Sequence, residues 1–80
     1  MITQPVCIDS LEKVQRFVHI MNSFNGRFEL VSGCSAVNAK SVMGIFSLDL
    51  SKPIDLDIHA DGKDLDLVTR ALTPYRIDEG

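Results

Sequence analysis

Eighty residues are enough for one small domain and too few for two, so the sequence predicts a single domain spanning residues 1–80. Hydrophobic residues make up 45% of the chain and charged residues 24%, a balance typical of globular rather than disordered proteins. The formal net charge of −3 argues against a nucleic acid as partner, and no apolar run is long enough to cross a membrane.

The first predicted strand is residues 2–8, a short segment rich in β-branched side chains. Pro5 cannot donate a ladder hydrogen bond, which favours an outer or bulged strand. Asp9 then stands where a helix N-cap belongs, with Glu12 three residues later as in a capping box. Apolar residues recur from there at spacings of three and four, which predicts an amphipathic helix over about residues 10–23.

Two short strands are predicted at residues 27–32 and 35–38, joined by a hairpin turn at Gly33. A short helix is expected within residues 39–50 (AKSVMGIFSLDL), where a serine precedes an almost unbroken apolar run. Residues 53–60 then alternate strictly between apolar and polar side chains. This alternation predicts a half-buried strand of an antiparallel sheet.

The last helix is predicted between the turn Asp61-Gly62 and Pro74, which should stop it, and the tail of residues 75–80 is expected to fray. The element order is therefore β-α-β-β-α-β-α. Four strands with one apolar face need the three helices on that face. The fold class is predicted to be α+β, an open-faced sandwich whose other sheet face is in water.

The two cysteines, Cys7 and Cys34, form no CxxC motif and are too few for a disulfide framework. The chain also opens without a signal-peptide pattern. We therefore expect a reduced, cytoplasmic protein in which both thiols are buried or half-buried, and we expect no cofactor.

Four polar residues on the outer face of the last predicted strand and its turn suggest a metal site: Asp55, Asp57, His59 and Asp61. Alternate residues of a strand stand about 6.6 Å apart, so one ion can reach two neighbours but not all four. A solvated outer face explains the same alternation. We expect no metal site.

The segment AKSVMGIFSL resembles HPr, the histidine phosphocarrier of the bacterial sugar phosphotransferase system. In that family a Lys-Ser-Ile-Met-Gly segment opens the short second helix, and its serine is the target of a regulatory kinase. The matching residues here are Lys40, Ser41, Val42, Met43 and Gly44. The segments FNGRFEL and DLDIHADGKD resemble the second strand, the fourth strand and the final turn of the family. The resemblance implies the HPr fold, with strand order 1-4-2-3.

The sequence departs from the family where the family's chemistry lies, since HPr carriers hold a Gly-[IL]-His-Ala-Arg-Pro segment at the start of helix one. An ungapped register places Ser10 at the histidine and Glu12 at the arginine; a shortened active-site loop is the other interpretation. Either way no histidine stands there. A hydroxyl is a poorer phosphoryl acceptor than imidazole, and a carboxylate repels the phosphoryl group. We expect the histidine carrier reaction to be lost, with no catalytic residue and no enzymatic activity.

A missing histidine together with a retained regulatory serine resembles the catabolite-repression HPr variants, which act when phosphorylated on the serine. Ser41 then has two interpretations. In the first, it is only the N-cap of the second helix. In the second, it is also a phosphorylation site, where free N–H groups and the positive end of the helix dipole would stabilise the phosphate. Lys40 would then add a counter-charge. In a third hypothesis Ser41 is an inherited cap and the protein no longer answers to the sugar system.

The apolar run of residues 42–50 is too long for one buried stripe of a two-turn helix. We assign Ile45, Leu48 and Leu50 to the core. Val42, Met43 and Phe46 lie on another face, and the resemblance implies that this face, with Lys40, docks other proteins. The partners implied are an HPr kinase or a transcriptional regulator, and a weak homodimer is a further possibility.

An alternative function is a phosphoryl carrier of the same system that uses an unconventional acceptor. His19 and His59 are the two histidines available for that role. Neither stands at a helix N-terminus, where backbone amides hold a phosphoryl group. We expect both to be surface histidines.

Overall fold

The computed structural model describes residues 2–60 and 62–77 of the chain, and the predicted order of elements is confirmed. The elements are β1 (Ile2–Val6), α1 (Leu11–Asn22), β2 (Arg27–Ser32), β3 (Ser35–Asn38), α2 (Val42–Phe46), β4 (Ile54–His59) and α3 (Gly62–Ala71). The bounds of the two hairpin strands are those predicted, while β1 ends at Val6, two residues earlier than expected.

The four strands form one antiparallel sheet in the order β1-β4-β2-β3, as the resemblance implied. The middle strand β4 pairs with both neighbours, and Ile58 lies opposite Ile2 on one side and Phe28 on the other. Residues directly opposite one another share a sheet face. The apolar residues of three strands are thereby stacked on one side of the sheet.

The helices cover that apolar face. Each helix contributes at least one fully buried side chain, such as Phe17 of α1, Ile45 of α2 and Val68 of α3. The buried core consists of Val6, Ile8, Val14, Phe17, Met21, Phe28, Leu30, Ala39, Ile45, Ile54, Leu56, Ile58, Val68, Leu72 and Tyr75. None of the helices in residues 2–60 and 62–77 is long and apolar enough to span a membrane.

The N-cap of α1 is Ser10 and not Asp9, so that prediction was wrong by one residue. The Ser10 hydroxyl accepts a hydrogen bond from the backbone N–H of Lys13 at 3.2 Å, the geometry of a cap that bonds to the third helical residue. Asp9 lies one residue too early for this bond. Its carboxylate instead binds the ammonium group of Lys13 at 2.9 Å.

The predicted fraying of the tail is also wrong for residues 75–77, while residues 78–80 lie outside the described residues. Tyr75 is buried, and its ring meets the ring of Phe17 edge-on at a centroid distance of 6.0 Å. The carbonyl of Tyr75 accepts a hydrogen bond from the Cys7 N–H at 2.8 Å, and the Ile77 N–H donates to Pro5 at 3.0 Å. The C-terminal segment therefore pairs with the outer edge of β1.

The two thiols differ in exposure. Cys7, next to β1, is half-buried as expected. Cys34 lies in the turn between β2 and β3 and is exposed, which corrects the prediction that both thiols are buried or half-buried. A two-residue hairpin turn projects away from the sheet, so its side chains have little to pack against.

Replacement of Tyr75 by alanine is expected to lower the free energy of unfolding by about 3 kcal/mol, because a buried aromatic ring and its contact with Phe17 are lost. Urea denaturation followed by circular dichroism measures the change. Thr73→Ala, an exposed position two residues earlier, is the control and should cost about 0.5 kcal/mol or less. If both variants unfold at the same urea concentration, the C-terminal segment is not docked.

Candidate functional site

Ser41 is the N-cap of α2, which confirms the local geometry predicted for it. Its backbone is extended, with φ −108° and ψ 113°, and its hydroxyl oxygen accepts a hydrogen bond from the Gly44 N–H at 3.2 Å. The Ser41 carbonyl accepts from the Ile45 N–H at 3.1 Å and begins the helix. The side chain is partly exposed. The fold therefore holds the hydroxyl of a partly exposed residue in place before any modification.

The segment before Ser41 is held by hydrogen bonds that the sequence analysis did not identify. The Ala39 N–H donates to the carbonyl of Phe28 at 2.9 Å. Asn38 makes a local turn, since its side chain accepts from the Lys40 N–H at 2.9 Å and its carbonyl accepts from the Ser41 N–H at 3.0 Å. An asparagine three residues before a helix cap is a recognisable signal for this turn.

Lys40 reaches away from the cap. Its ammonium group donates to the carbonyl of Phe24 at 3.0 Å and lies 5.4 Å from the centre of the Phe28 ring, within the range of a cation–π contact. Among the described residues no hydrogen bond joins the Lys40 side chain to Ser41. Lys40 therefore links the loop after α1 to the start of α2.

The exposed apolar surface of α2 is narrower than predicted. Met43 is 82% exposed and Phe46 44%, whereas Ile45 is completely buried. Val42 is half-buried and packs against the core, so it lies at the edge of the surface rather than within it. We call Met43 and Phe46 the apolar patch. Leu48 and Leu50, which were assigned to the core, are only partly buried against it.

The start of α1 carries Ser10 and Glu12, the two residues that the ungapped register predicts at the family's histidine and arginine. Ser10 and Glu12 are both exposed, and Leu11 between them is 59% exposed. The Glu12 carboxylate binds the guanidinium of Arg16 at 2.7 Å, one turn along the helix. The guanidinium of Arg16 is therefore present on this surface, but its charge is neutralised by the carboxylate of Glu12.

His19 and His59 lie on different surfaces. His19 is exposed in the last turn of α1, and His59 is exposed on the open face of the sheet, with its Nε2 atom 3.6 Å from the carboxylate of Glu29. Neither residue is at a helix N-terminus, as the sequence analysis expected.

The acidic face of β4 does not assemble the ligands of an ion within the described residues. Asp57 accepts a hydrogen bond from the Thr3 hydroxyl at 2.8 Å, and Asp61 lies outside the described residues. In residues 2–60 and 62–77 no group of three or more histidine, cysteine, aspartate or glutamate side chains is placed to hold a metal.

The fold is similar to that of a solved phosphocarrier. The structure titled "Crystal structure of HPr-C-His from Thermoanaerobacter tengcongensis" superimposes with a TM-score of 0.74 at 26% sequence identity, covering 92% of this chain and 89% of that chain. The arrangement of strands and helices thus defines a small α+β domain with the HPr fold. Residues 12–75 match the family model PTS-HPr, described as "PTS HPr component phosphorylation site". The chain belongs to the HPr family, which confirms the resemblance and the fold.

Proteins of this family carry phosphoryl groups, rather than catalysing a reaction as enzymes do, and they interact with other proteins of the phosphotransferase system. The family match begins at residue 12, so it includes Glu12 and leaves out Ser10. The matched segment contains the whole of α2 and the loop that positions Ser41.

The pair Asp9–Lys13 gives the start of α1 a defined dependence on pH. The hydrogen bond and charge of the Lys13 ammonium hold the pKa of the Asp9 carboxyl below its ordinary value, and Asp9 raises the pKa of Lys13 in return. A carboxyl whose pKa is lowered by folding stabilises the folded state above its unfolded pKa. That stabilisation is lost as the pH falls through the folded pKa.

Lys13→Met is therefore expected to return the pKa of Asp9 toward its ordinary value, as measured by NMR titration of the side-chain carboxyl carbon. Arg16→Met is the matched control, because Arg16 pairs with Glu12 on the same helix and should leave the Asp9 titration unchanged. The shift should also shrink at high salt, since the pair is exposed. An identical Asp9 titration in the wild type and in Lys13→Met would contradict the pairing.

Proposed function

We propose that this chain is a regulatory or adaptor member of the HPr family that acts through the surface of α2, with Ser41 as its site of regulatory phosphorylation. The observation that carries the proposal is the partly exposed Ser41 cap at the start of a five-residue helix that exposes Met43 and Phe46. The setting would be the bacterial cytoplasm. The partners would be an HPr kinase and a transcriptional regulator, by resemblance to the catabolite-repression variants.

The start of α1 supports a role other than histidine phosphocarrier. Ser10, which the ungapped register places at the family's histidine, offers a hydroxyl, and a hydroxyl is a poorer phosphoryl acceptor than imidazole. The carboxylates of Asp9 and Glu12 lie on either side of Ser10 in the sequence, and both repel an incoming phosphoryl group. Lys13 is paired with Asp9, and Arg16 is paired with Glu12. No positive charge is left over from these two pairs to hold a phosphate.

The electrostatics of α2 favour a switch based on charge. None of the five residues of α2 (VMGIF) is charged, so the helix surface is uncharged before modification. A phosphate on Ser41 adds a charge of about −1.5 to −2 and three strong acceptor oxygens. It would meet the positive end of the peptide dipoles at the N-terminus of the helix.

The charge would be placed next to the apolar patch. Met43 is two residues after Ser41, and Phe46 is one turn further. A partner that accepts the patch in an apolar pocket and pairs the phosphate with arginine or lysine would bind the phosphorylated form more tightly than the unmodified form. This difference in affinity is what a regulatory modification requires.

Incubation of the purified chain with an HPr kinase and ATP is expected to add one phosphate, detected by mass spectrometry and localised to Ser41. Ser41→Ala should remain unmodified. Ser10→Ala is the matched control, because Ser10 is also a helix cap with an accessible hydroxyl, and it should be modified like the wild type.

Absence of phosphate in the wild type, or equal phosphate in Ser41→Ala, would remove the switch from the proposal. The alternative of an unconventional acceptor is checked with the same chain. Phosphoenolpyruvate and enzyme I of the system should give no acid-labile label, and a label lost in His19→Ala or His59→Ala would favour the carrier function instead.

Met43→Asp is expected to leave folding nearly intact, with a change of about 0.5 kcal/mol or less in the free energy of unfolding, because Met43 is 82% exposed. The same variant should raise the KM of the kinase for this chain about tenfold or more, since a carboxylate must be desolvated in an apolar interface.

Leu67→Asp is the matched control: Leu67 is 51% exposed on α3, outside the apolar patch. It should change neither folding nor kinase kinetics. A thermal melt and a steady-state phosphorylation assay on both variants separate the two effects. Equal KM values for the two variants would show that the apolar patch does not dock the kinase.

A further inference from the structure

Gly44 is the third residue of α2, at a position where the backbone does not require glycine. The glycines with positive φ in the described residues are Gly26, Gly33 and Gly62, and Gly44 is not one of them. Glycine weakens a helix relative to alanine, since its backbone loses more freedom on folding. The conformation of α2 therefore gives no reason for the residue.

Packing does not require glycine either. A Cβ atom built at Gly44 would lie 3.4 Å from the Ser41 hydroxyl oxygen and 3.4 Å from the Cβ atom of Val37, at the edge of ordinary contact. The backbone N–H of Gly44 donates to the Ser41 cap, but no side chain is needed at this position to complete a capping box. The third residue of a helix is often a glutamate that bonds back to the N–H of the cap. Here the Ser41 N–H already donates to the carbonyl of Asn38 at 3.0 Å.

The space left by the missing side chain lies beside the hydroxyl of Ser41. Phosphorylation of that hydroxyl forms a bond from its oxygen to the γ-phosphorus of ATP and breaks the bond from that phosphorus to the bridging oxygen. The hydroxyl proton goes to a base of the kinase, and ADP leaves. The γ-phosphoryl group must approach to about 3–3.5 Å before the bond forms. A methyl group at Gly44 would lie 3.4 Å from the oxygen, which is about the distance of an approaching phosphorus atom.

We propose that Gly44 is a specificity-determining residue for phosphorylation of Ser41, and that its missing side chain leaves the room that the incoming phosphoryl group and the phosphoserine need. The inference rests on the proposed function, in which Ser41 is the substrate of a kinase. The inference adds that a kinase recognises Ser41 as a substrate because of the space beside its hydroxyl as well as the serine cap itself.

The variant Gly44→Ala tests whether access of the phosphoryl group to Ser41 can be reduced without destabilising the fold. We expect the variant to melt at the same temperature as the wild type or a few degrees higher, because alanine favours the helix. We expect its kcat/KM with an HPr kinase and ATP to fall about tenfold or more, mainly in kcat, since Met43 and Phe46 are untouched. Ser47→Ala is the control: it removes the C-cap hydroxyl that donates to the Gly44 carbonyl at 2.6 Å but leaves the space beside Ser41 empty, so it should be phosphorylated at the wild-type rate.

The outcomes are distinguishable. If the wild type is not phosphorylated at all, the proposed function fails and this inference with it. If the wild type and Gly44→Ala are phosphorylated at the same rate, Ser41 remains a substrate and the role of Gly44 is overturned. The role is equally overturned if Gly44→Ala melts well below the wild type, because its slower reaction would then reflect a disturbed helix.

Discussion

The antiparallel register of β4 between β1 and β2 is the constraint on which the rest of the molecule depends. It places Leu56 opposite Leu30 and Ile58 opposite Phe28, so the apolar residues of neighbouring strands lie on one face of the sheet. A slip of one residue would turn this face to water and bring Asp57 into the core. The helices have an apolar layer to cover only in the observed register.

The position of Ser41 follows from that sheet. The Ala39 N–H bonds to Phe28 of β2, and Ala39 itself is buried, so the chain leaves β3 along a fixed path. A five-residue helix is too short to be stable alone and forms only where tertiary contacts hold it. Ile45 supplies the buried anchor of α2. With one side chain anchored, the helix leaves Met43 and Phe46 on the surface.

The sequence predicted most of this fold because its strands alternate cleanly and its long helices have one apolar side. It failed where the deciding contact is distant in the chain or depends on one hydrogen bond. The buried ring of Tyr75 contacts Phe17, 58 residues earlier, and no local pattern in the tail signals that contact. Likewise the Lys40 ammonium has several donors, and only the folded chain directs it to the carbonyl of Phe24. The position of Ser41 as an N-cap was predicted correctly because a helix cap is recognised from neighbouring residues alone.

The residues that hold the fold together and those proposed to act on partners are largely different ones. Among the residues that the structure describes, the hydroxyl of Ser41 makes one hydrogen bond, to the Gly44 N–H, and a serine cap contributes about 1 kcal/mol. A phosphate at that oxygen offers new acceptors to the same end of the helix, so the lost cap is at least partly replaced. The core beneath, including Ile45, is not touched by the modification. Phosphorylation of Ser41 would then change the surface that a partner meets while leaving the sheet and its register intact.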